Sequence, residues 1–328
     1  MTVTSPSPLA IAATGLRKSY GEQTVLDGID LSISAGTVFS LLGPNGAGKT
    51  TIVQILTTLI RADAGVLRVA DHSVTEEPDS VRAAIAVTGQ FSAVDKLFTG
   101  EENLILMGDL HHIPRKESRR RATELLERFD LVDASKRCAA TYSGGMIRRL
   151  DLAMGLMGKP RVVFLDEPTT GLDPRSRQTM WQIVRELAAS GVTIFLTTQN
   201  LQEADLLADR IALLDNGRII ADGTPAELKR LIPGGNVTLR FVDEADLEAA
   251  ARVLGEVPRN NDALTLQVPT DGSFASLRTL VGRFGGQSVV VDSYSIHAPD
   301  LDDVFFTLTG SSASRLGDRV LDREVSGS

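Results

Sequence analysis

Gly43-x-x-x-x-Gly48-Lys49-Thr50 has the residue types and spacing of a phosphate cradle. Glycines let backbone N–H groups approach phosphate oxygens that a Cβ would hold off, and a helix N-terminus adds further donors. Lys49 can reach the terminal phosphates, and the Thr50 hydroxyl suits Mg2+. Arginine is the usual cation of this chain, yet a lysine stands here; a compact ammonium fits a phosphate pocket better than a planar fork. Farther along, Asp166-Glu167 closes an apolar run. One such carboxylate can bind Mg2+, and the other can orient and deprotonate a water.

Weaker signals surround these two. Ser143-Gly144-Gly145 opens a helical pattern and is a second candidate anion site, although taken alone plain N-capping by Ser143 is the better account. Asp173 precedes Pro174 as an N-cap would. Gln90 is a neutral amide at a strand end, able to face Mg2+ or water. Tyr20 sits among Arg17, Lys18 and Gly21 and could stack on a purine base; taken alone, such a tyrosine is more often core.

The elements that must position these residues are legible around them. Val38 to Leu42 is apolar enough for a buried strand, and from Thr50 the apolar spacing is helical. Ile29 to Ile33 alternates as a half-buried strand and Gly36 ends it, so an antiparallel segment precedes the cradle. Ala84 to Val87, Arg161 to Leu165 and Val192 to Leu196 predict strands, while Ile147 to Met157 and the run from Pro174 to about Gly191 predict helices. Residues 101–137 predict charged helix, with Arg119, Arg120 and Arg121 on a solvated face and Leu125, Leu126 and Phe129 inward.

Composition narrows the classes. At 328 residues about two domains are expected. A formal charge of −8 argues against a protein devoted to nucleic acid. No apolar run approaches the roughly 20 residues of a spanning helix, and the start MTVTSPSPLA has neither a basic region nor a long apolar core. A cytoplasmic chain that meets a membrane only through a partner is the expectation. The single cysteine, Cys138, excludes an internal disulfide and reads as a small, partly buried side chain.

Taken in order, Tyr20, the loop from Gly43 to Thr50, Gln90, Ser143-Gly144-Gly145, Asp166-Glu167 and Asp173 resemble the ATP-binding subunit of an ABC (ATP-binding cassette) transporter. The resemblance runs from Ile11 to about Leu231. AVTGQFSAVD, TYSGGMIRRLDLAM, LTTQNLQEAD and LDDVFFTLTG narrow it to the daunorubicin/doxorubicin-resistance subfamily of drug exporters. It implies an α/β fold: a P-loop NTPase cassette with a mixed sheet core, an antiparallel β part and a helical subdomain. It also implies ATP and Mg2+ as ligands. Glu167 and Gln199 would then be catalytic, and Thr50, Gln90 and Asp166 would attend the metal. Tyr20, Gly43, Pro44, Asn45, Gly46, Ala47, Gly48, Lys49, Thr50, Thr51, Gln90, Ser143, Gly144, Gly145 and Asp173 would contact nucleotide.

Two departures from the family pattern matter. Tyr142 and Met146 replace the usual Leu and Gln around an intact Ser143-Gly144-Gly145, so recognition of the γ-phosphate should survive. Gln199 replaces a histidine; an amide can hydrogen-bond but cannot become cationic, so hydrolysis through Glu167 should persist without a titration at position 199.

Thr224-Pro225-Ala226-Glu227 is a capping box opening a short helix. Pro233-Gly234-Gly235 then marks the expected boundary, giving a loose tail over 1–8, a cassette over 9–231, a small α+β domain over 232–310 and a disordered tail over 311–328. In the small domain, strands are expected at 237–241, 263–268 and 288–291 and helices at 244–254 and 276–284. His297 is isolated. Asp300 to Asp303 fits a helix start, with Val304, Phe305 and Leu308 as an apolar docking face.

The resemblance further implies that Ser143-Gly144-Gly145 is the family signature and that each ATP is held between the cradle of one cassette and the signature of another. One cradle per chain therefore predicts a homodimer working with a separate integral-membrane permease, docked on residues 101–137, with no nucleic-acid partner. A soluble ABC ATPase of translation or DNA repair is the alternative, but such chains resemble paired or coiled-coil-split cassettes. A P-loop kinase or GTPase would leave the signature unexplained.

Overall fold

The cradle hangs from a six-stranded sheet whose central strands are buried on both faces. In spatial order the strands are Arg218–Gly223, Arg210–Asp215, Val38–Leu42, Thr193–Thr198, Val162–Asp166 and Ile85–Thr88. All pair in parallel except Arg218–Gly223, which runs antiparallel to its neighbour. Every residue of the three middle strands is buried, which is why they read as apolar runs rather than alternations.

This is a computed structural model, and it describes residues 8–89, 92–232, 235–255, 257–270, 274–284, 289–297 and 299–309. Gln90, the Pro233-Gly234 step, Ser288 and both expected tails except Pro8 lie outside them. Two units divide the chain, Met1–Pro225 and Ala226–Ser328.

In the first unit, successive residues of one strand serve two cores. Val163 and Leu165, with Ile194 and Leu196, pack against helices; Val162, Phe164 and Phe195 pack on the other face. On that second face Phe39, Phe195 and Phe164 form a row across three strands, with ring centroids 5.4 and 5.3 Å apart. Each such ring, fully buried, contributes about 1.5–3 kcal/mol.

Beyond this core lies an antiparallel sheet in the order Gln23–Ser34, Leu9–Tyr20, Ala64–Val69, His72–Ser73. The sequence reading found only Ile29–Ile33 of it. Its first strand breaks register between Ala13 and Leu16 and again before Arg17, and one of its two partners lies far away in sequence, Ile11 facing Val69. Bulges spoil the two-residue period on which strand recognition depends.

The charged segment is helical but not continuous. Gly100–Leu110 starts from a Thr99/Glu102 capping box, and Arg115–Arg128 follows after His112, at φ 53°, and Pro114. Arg119 and Arg120 face solvent as expected. Arg121 does not: its guanidinium turns inward, donating to Met157 O at 2.8 Å and to Glu117 at 2.7 Å. Hydrogen bonds from Arg120 and Arg121 push the Glu117 carboxyl down to about 2.

The second unit is a four-stranded antiparallel sheet, in the order Arg259–Asn260, Thr265–Pro269, Asn236–Phe241, Val291–His297, with helices Glu244–Leu254 and Phe274–Arg283. Val237, Leu239, Phe241, Leu247, Leu266 and Leu280 form its core. The last strand begins where the sequence reading ended it: its middle, Asp292-Ser293-Tyr294-Ser295, is exposed and polar, and pairing with Asn236–Phe241 makes it a strand. Asp300 and Asp303 accept from each other's backbone N–H at 2.9 and 3.1 Å, so the acids cap the helix Leu301–Thr309.

Candidate nucleotide and hydrolysis site

Strand Val38–Leu42 ends at Gly43, where a Cβ would fall 2.3 Å from Leu214 O, so no side chain fits. The loop then reaches Gly48, at φ 110°, and enters the helix Lys49–Leu56. No side chain caps that helix, which leaves its first N–H groups for a ligand. Lys49 folds back over the loop, donating from Nζ to Gly43 O at 2.8 Å and to Pro44 O at 3.1 Å. Only 5% of its side chain is exposed. Burial lowers its pKa, outweighing the opposing pull of Glu167 and Asp166.

Two strands away, Val162–Asp166 delivers the carboxylates. Asp166 Oδ2 accepts from the Thr50 hydroxyl at 3.2 Å, and Asp166 Oδ1 accepts from Thr197 Oγ1. Glu167 follows at φ 50°, unusual for a residue with a side chain. It is held there by its N–H, which donates to Thr197 O at 3.1 Å, and its Oε2 accepts from Thr170 Oγ1 at 3.2 Å. Its Oε1 lies 3.7 Å from Lys49 Nζ.

These groups share a cleft of ≈ 460 Å³ lined by Asn45, Gly46, Gly48, Lys49, Thr50, Thr51, Asp166, Glu167 and Gln199, with Val25 and Thr170. Gly43, Pro44 and Ala47 build the loop behind it, Ala47 N–H bonding Pro44 O. Val25, Thr170 and the supporting Thr197 were not found from sequence. Val25 carries no local signal; Thr170 and Thr197 could have been suspected as hydroxyls beside Glu167 and Gln199.

Other expected residues lie elsewhere. Tyr20 ends its strand and is 51% exposed, with Lys18 Nζ 5.3 Å from the ring centroid, so it is not core; nor does it line the cleft. Ser143 caps the helix Gly144–Leu156, accepting from Met146 N–H at 3.3 Å; Ser143 and Gly144 are exposed and outside the cleft. Asp173 is likewise outside, capping Pro174–Ala189 through Ser176, whose hydrogen bonds hold its carboxyl below the ordinary range. Gln90 is not described, but its flanks are. Gly89 O accepts from Arg148 at 2.7 Å, and Ala93 N–H donates to Asp151 Oδ1 at 2.9 Å, so the signature helix holds both sides.

The profile of the ABC transporter family matches residues 26–170. The daunorubicin resistance ATP-binding protein DrrA2 of Streptomyces coeruleorubidus is 47% identical, over 92% of this chain and 95% of that protein. This chain belongs to the ABC transporter ATP-binding proteins. The doxorubicin resistance ATP-binding protein DrrA of Mycobacterium tuberculosis is 44% identical (92% of this chain, 94% of that one), and Nod factor export ATP-binding protein I of Ralstonia nicotianae is 38% identical over the same shares. Among solved structures, the ADP conformation of the cassette MJ1267 superposes with a TM-score of 0.62 at 27% identity, covering 67% of this chain and 93% of that one.

An ABC cassette is an ATP hydrolase, and the groups present fit Mg-ATP. The loop leaves no room for a Cβ at Gly43, the ammonium is buried beside it, and Thr50 and Asp166 already converge as hard oxygen donors. Mg2+ requires only one or two protein oxygens when phosphates and waters complete its shell. Bound there, the ion would neutralise charge on the phosphates. Glu167 stands beside Lys49, where a water attacking the terminal phosphate can be deprotonated.

Proposed function

We propose that this chain is the ATP-hydrolysing subunit of an exporter that moves a hydrophobic drug, antibiotic or lipid through a separate membrane permease. The drug-resistance and Nod-factor-export relatives support the cargo class, and 44–47% identity over nearly the whole chain supports the subfamily. No helix among the described residues is long and apolar enough to cross a membrane; on this reading the path for the cargo lies in the permease. The chain works at the cytoplasmic face, held by that permease. Its docking surface is the segment 101–137, where Leu106, Leu110 and Val132 are exposed.

One observation carries the proposed dimer. Lys49, Thr50, Asp166 and Glu167 meet in one cleft, whereas Ser143 and Gly144 are exposed outside it. A signature that contacts phosphate must therefore come from a second copy. The order of events is binding of Mg-ATP, closure of two copies, hydrolysis with Glu167 as general base, and reopening.

Mixing two inactive variants tests this. Lys49→Ala and Ser143→Arg should each abolish turnover, and their mixture should regain part of it, because one heterodimer site combines an intact cradle with an intact signature. A mixture as inactive as its components would refute the shared site. Recovery of a polytopic membrane protein with the tagged chain from solubilised membranes would support the exporter reading; recovery of ribosomes or repair factors alone would favour the soluble alternative.

A further inference from the structure

Glu203 is nearly inaccessible, at 1% exposure, on the helix Leu201–Leu207. Its Oε1 accepts two hydrogen bonds, from Thr169 Oγ1 at 2.7 Å and from the indole Nε1 of Trp181 at 3.0 Å. Its Oε2 is buried without a hydrogen-bond partner among the described residues. A carboxyl that leaves one oxygen idle in the interior costs stability, and an apolar residue of similar size would avoid that cost. The arrangement therefore serves something other than packing.

The position of Glu203 indicates what that is. The two segments carrying the hydrolytic groups leave adjacent parallel strands in register, Asp166 opposite Thr197. Past the strand ends they diverge. One becomes the loop from Glu167 to Asp173, and the other turns through Gln199 and Asn200 into the Glu203 helix. Glu203 ties them together again. Its side chain holds Thr169, two residues after Glu167, and its N–H donates to Asn200 Oδ1 at 3.2 Å, one residue after Gln199. Thr170 in turn donates to Glu167 Oε2. Glu167 adopts φ 50°, a strained conformation that persists only where its surroundings over-determine it.

We infer that Glu203 is a positioning residue for ATP hydrolysis: through Thr169 it sets the distance between Glu167 and Gln199, the two groups that must address the same phosphate and water. Glu203 does not line the cleft itself. The inference rests on hydrolysis by this cassette and not on the permease or cargo.

Steady-state hydrolysis and binding of a fluorescent ATP analogue by the full chain test it. Glu203→Ala should lower kcat tenfold or more with affinity changed less than twofold, because the cradle keeps its own support. Glu203→Gln, whose carbonyl can accept both bonds, should restore at least half of kcat. Thr169→Val should lower kcat about as Glu203→Ala does, and combining the two should add little, as members of one link behave. Trp181→Phe removes only the bond that does not lead to Glu167, and should leave kcat within twofold. Equal losses of kcat and affinity, additivity in the double variant, or a Trp181→Phe defect matching that of Thr169→Val would overturn the assignment and leave a merely structural carboxyl. Glu167→Gln serves as control in the same assay: if it retained turnover, the hydrolysis reading itself would fail, independently of Glu203.

Discussion

The ammonium of Lys49 lies 3.7 Å from the Glu167 carboxylate, linking the residue proposed to bind the terminal phosphates to the one proposed to activate water. Both roles can be separated by substitution. Glu167→Gln keeps a hydrogen-bonding group beside Lys49 but removes the base, so phosphate release should fall about 10²–10⁴-fold while ATP still binds. Lys49→Ala should instead lower ATP affinity at least tenfold, read by titration with a fluorescent analogue.

Gln199 lines the same cleft and is exposed to it. An amide does not titrate, whereas imidazole changes charge near pH 6.5. Gln199→His should add a dependence of kcat on pH between about 5.5 and 7.5 that the native chain lacks. A kcat profile identical to the native one would show that position 199 does not address the reacting phosphate.

Asp151 has a stability signature. Burial, the largest influence on it, raises its carboxyl above the ordinary carboxylate range, against the pull of the Ala93 N–H and Arg148. The folded state thus favours the neutral form, and the stability it contributes is full below the unfolded-state pKa and lost as pH rises through the raised folded value. Asp151→Asn keeps an acceptor for Ala93 and never ionises. It should melt roughly 2 °C above the native chain at pH 7 and gain nothing near pH 3, as thermal scans at both values would reveal.

Gly48 adopts φ 110°, and a Cβ there would stand 2.7 Å from Leu26 Cδ2. Gly48→Ala combines backbone strain with overpacking and should cost about 2 kcal/mol in denaturant unfolding. ATP affinity should fall with it, since the same residue starts the helix whose uncapped N–H groups are left for a ligand.

Much of the site was legible without a structure because its signals are local. A glycine loop between an apolar strand and a helix, an acidic pair closing a strand, and a serine with two glycines opening a helix each lie within about ten residues. They obey rules of sterics and hydrogen bonding that operate over that distance. The middle strands announced themselves as apolar runs because both faces are buried. Bulged Leu9–Tyr20 and polar Val291–His297 did not, since pairing with distant segments, rather than their own pattern, makes them strands.

What only tertiary structure decided is which residues meet. The sequence alone pointed to a phosphate cradle, a candidate hydrolytic acid and the family. It could not show that Thr50 reaches Asp166 across 116 positions, that Thr197 supports both carboxylate residues, or that Glu203 is sunk beneath Thr169 and Trp181. Nor could it show that Ser143 lies outside the cleft where Lys49 and Glu167 meet. The physical reason is common to all four: strand register and packing against a two-faced sheet set these distances, and neither is encoded in any short stretch of the chain.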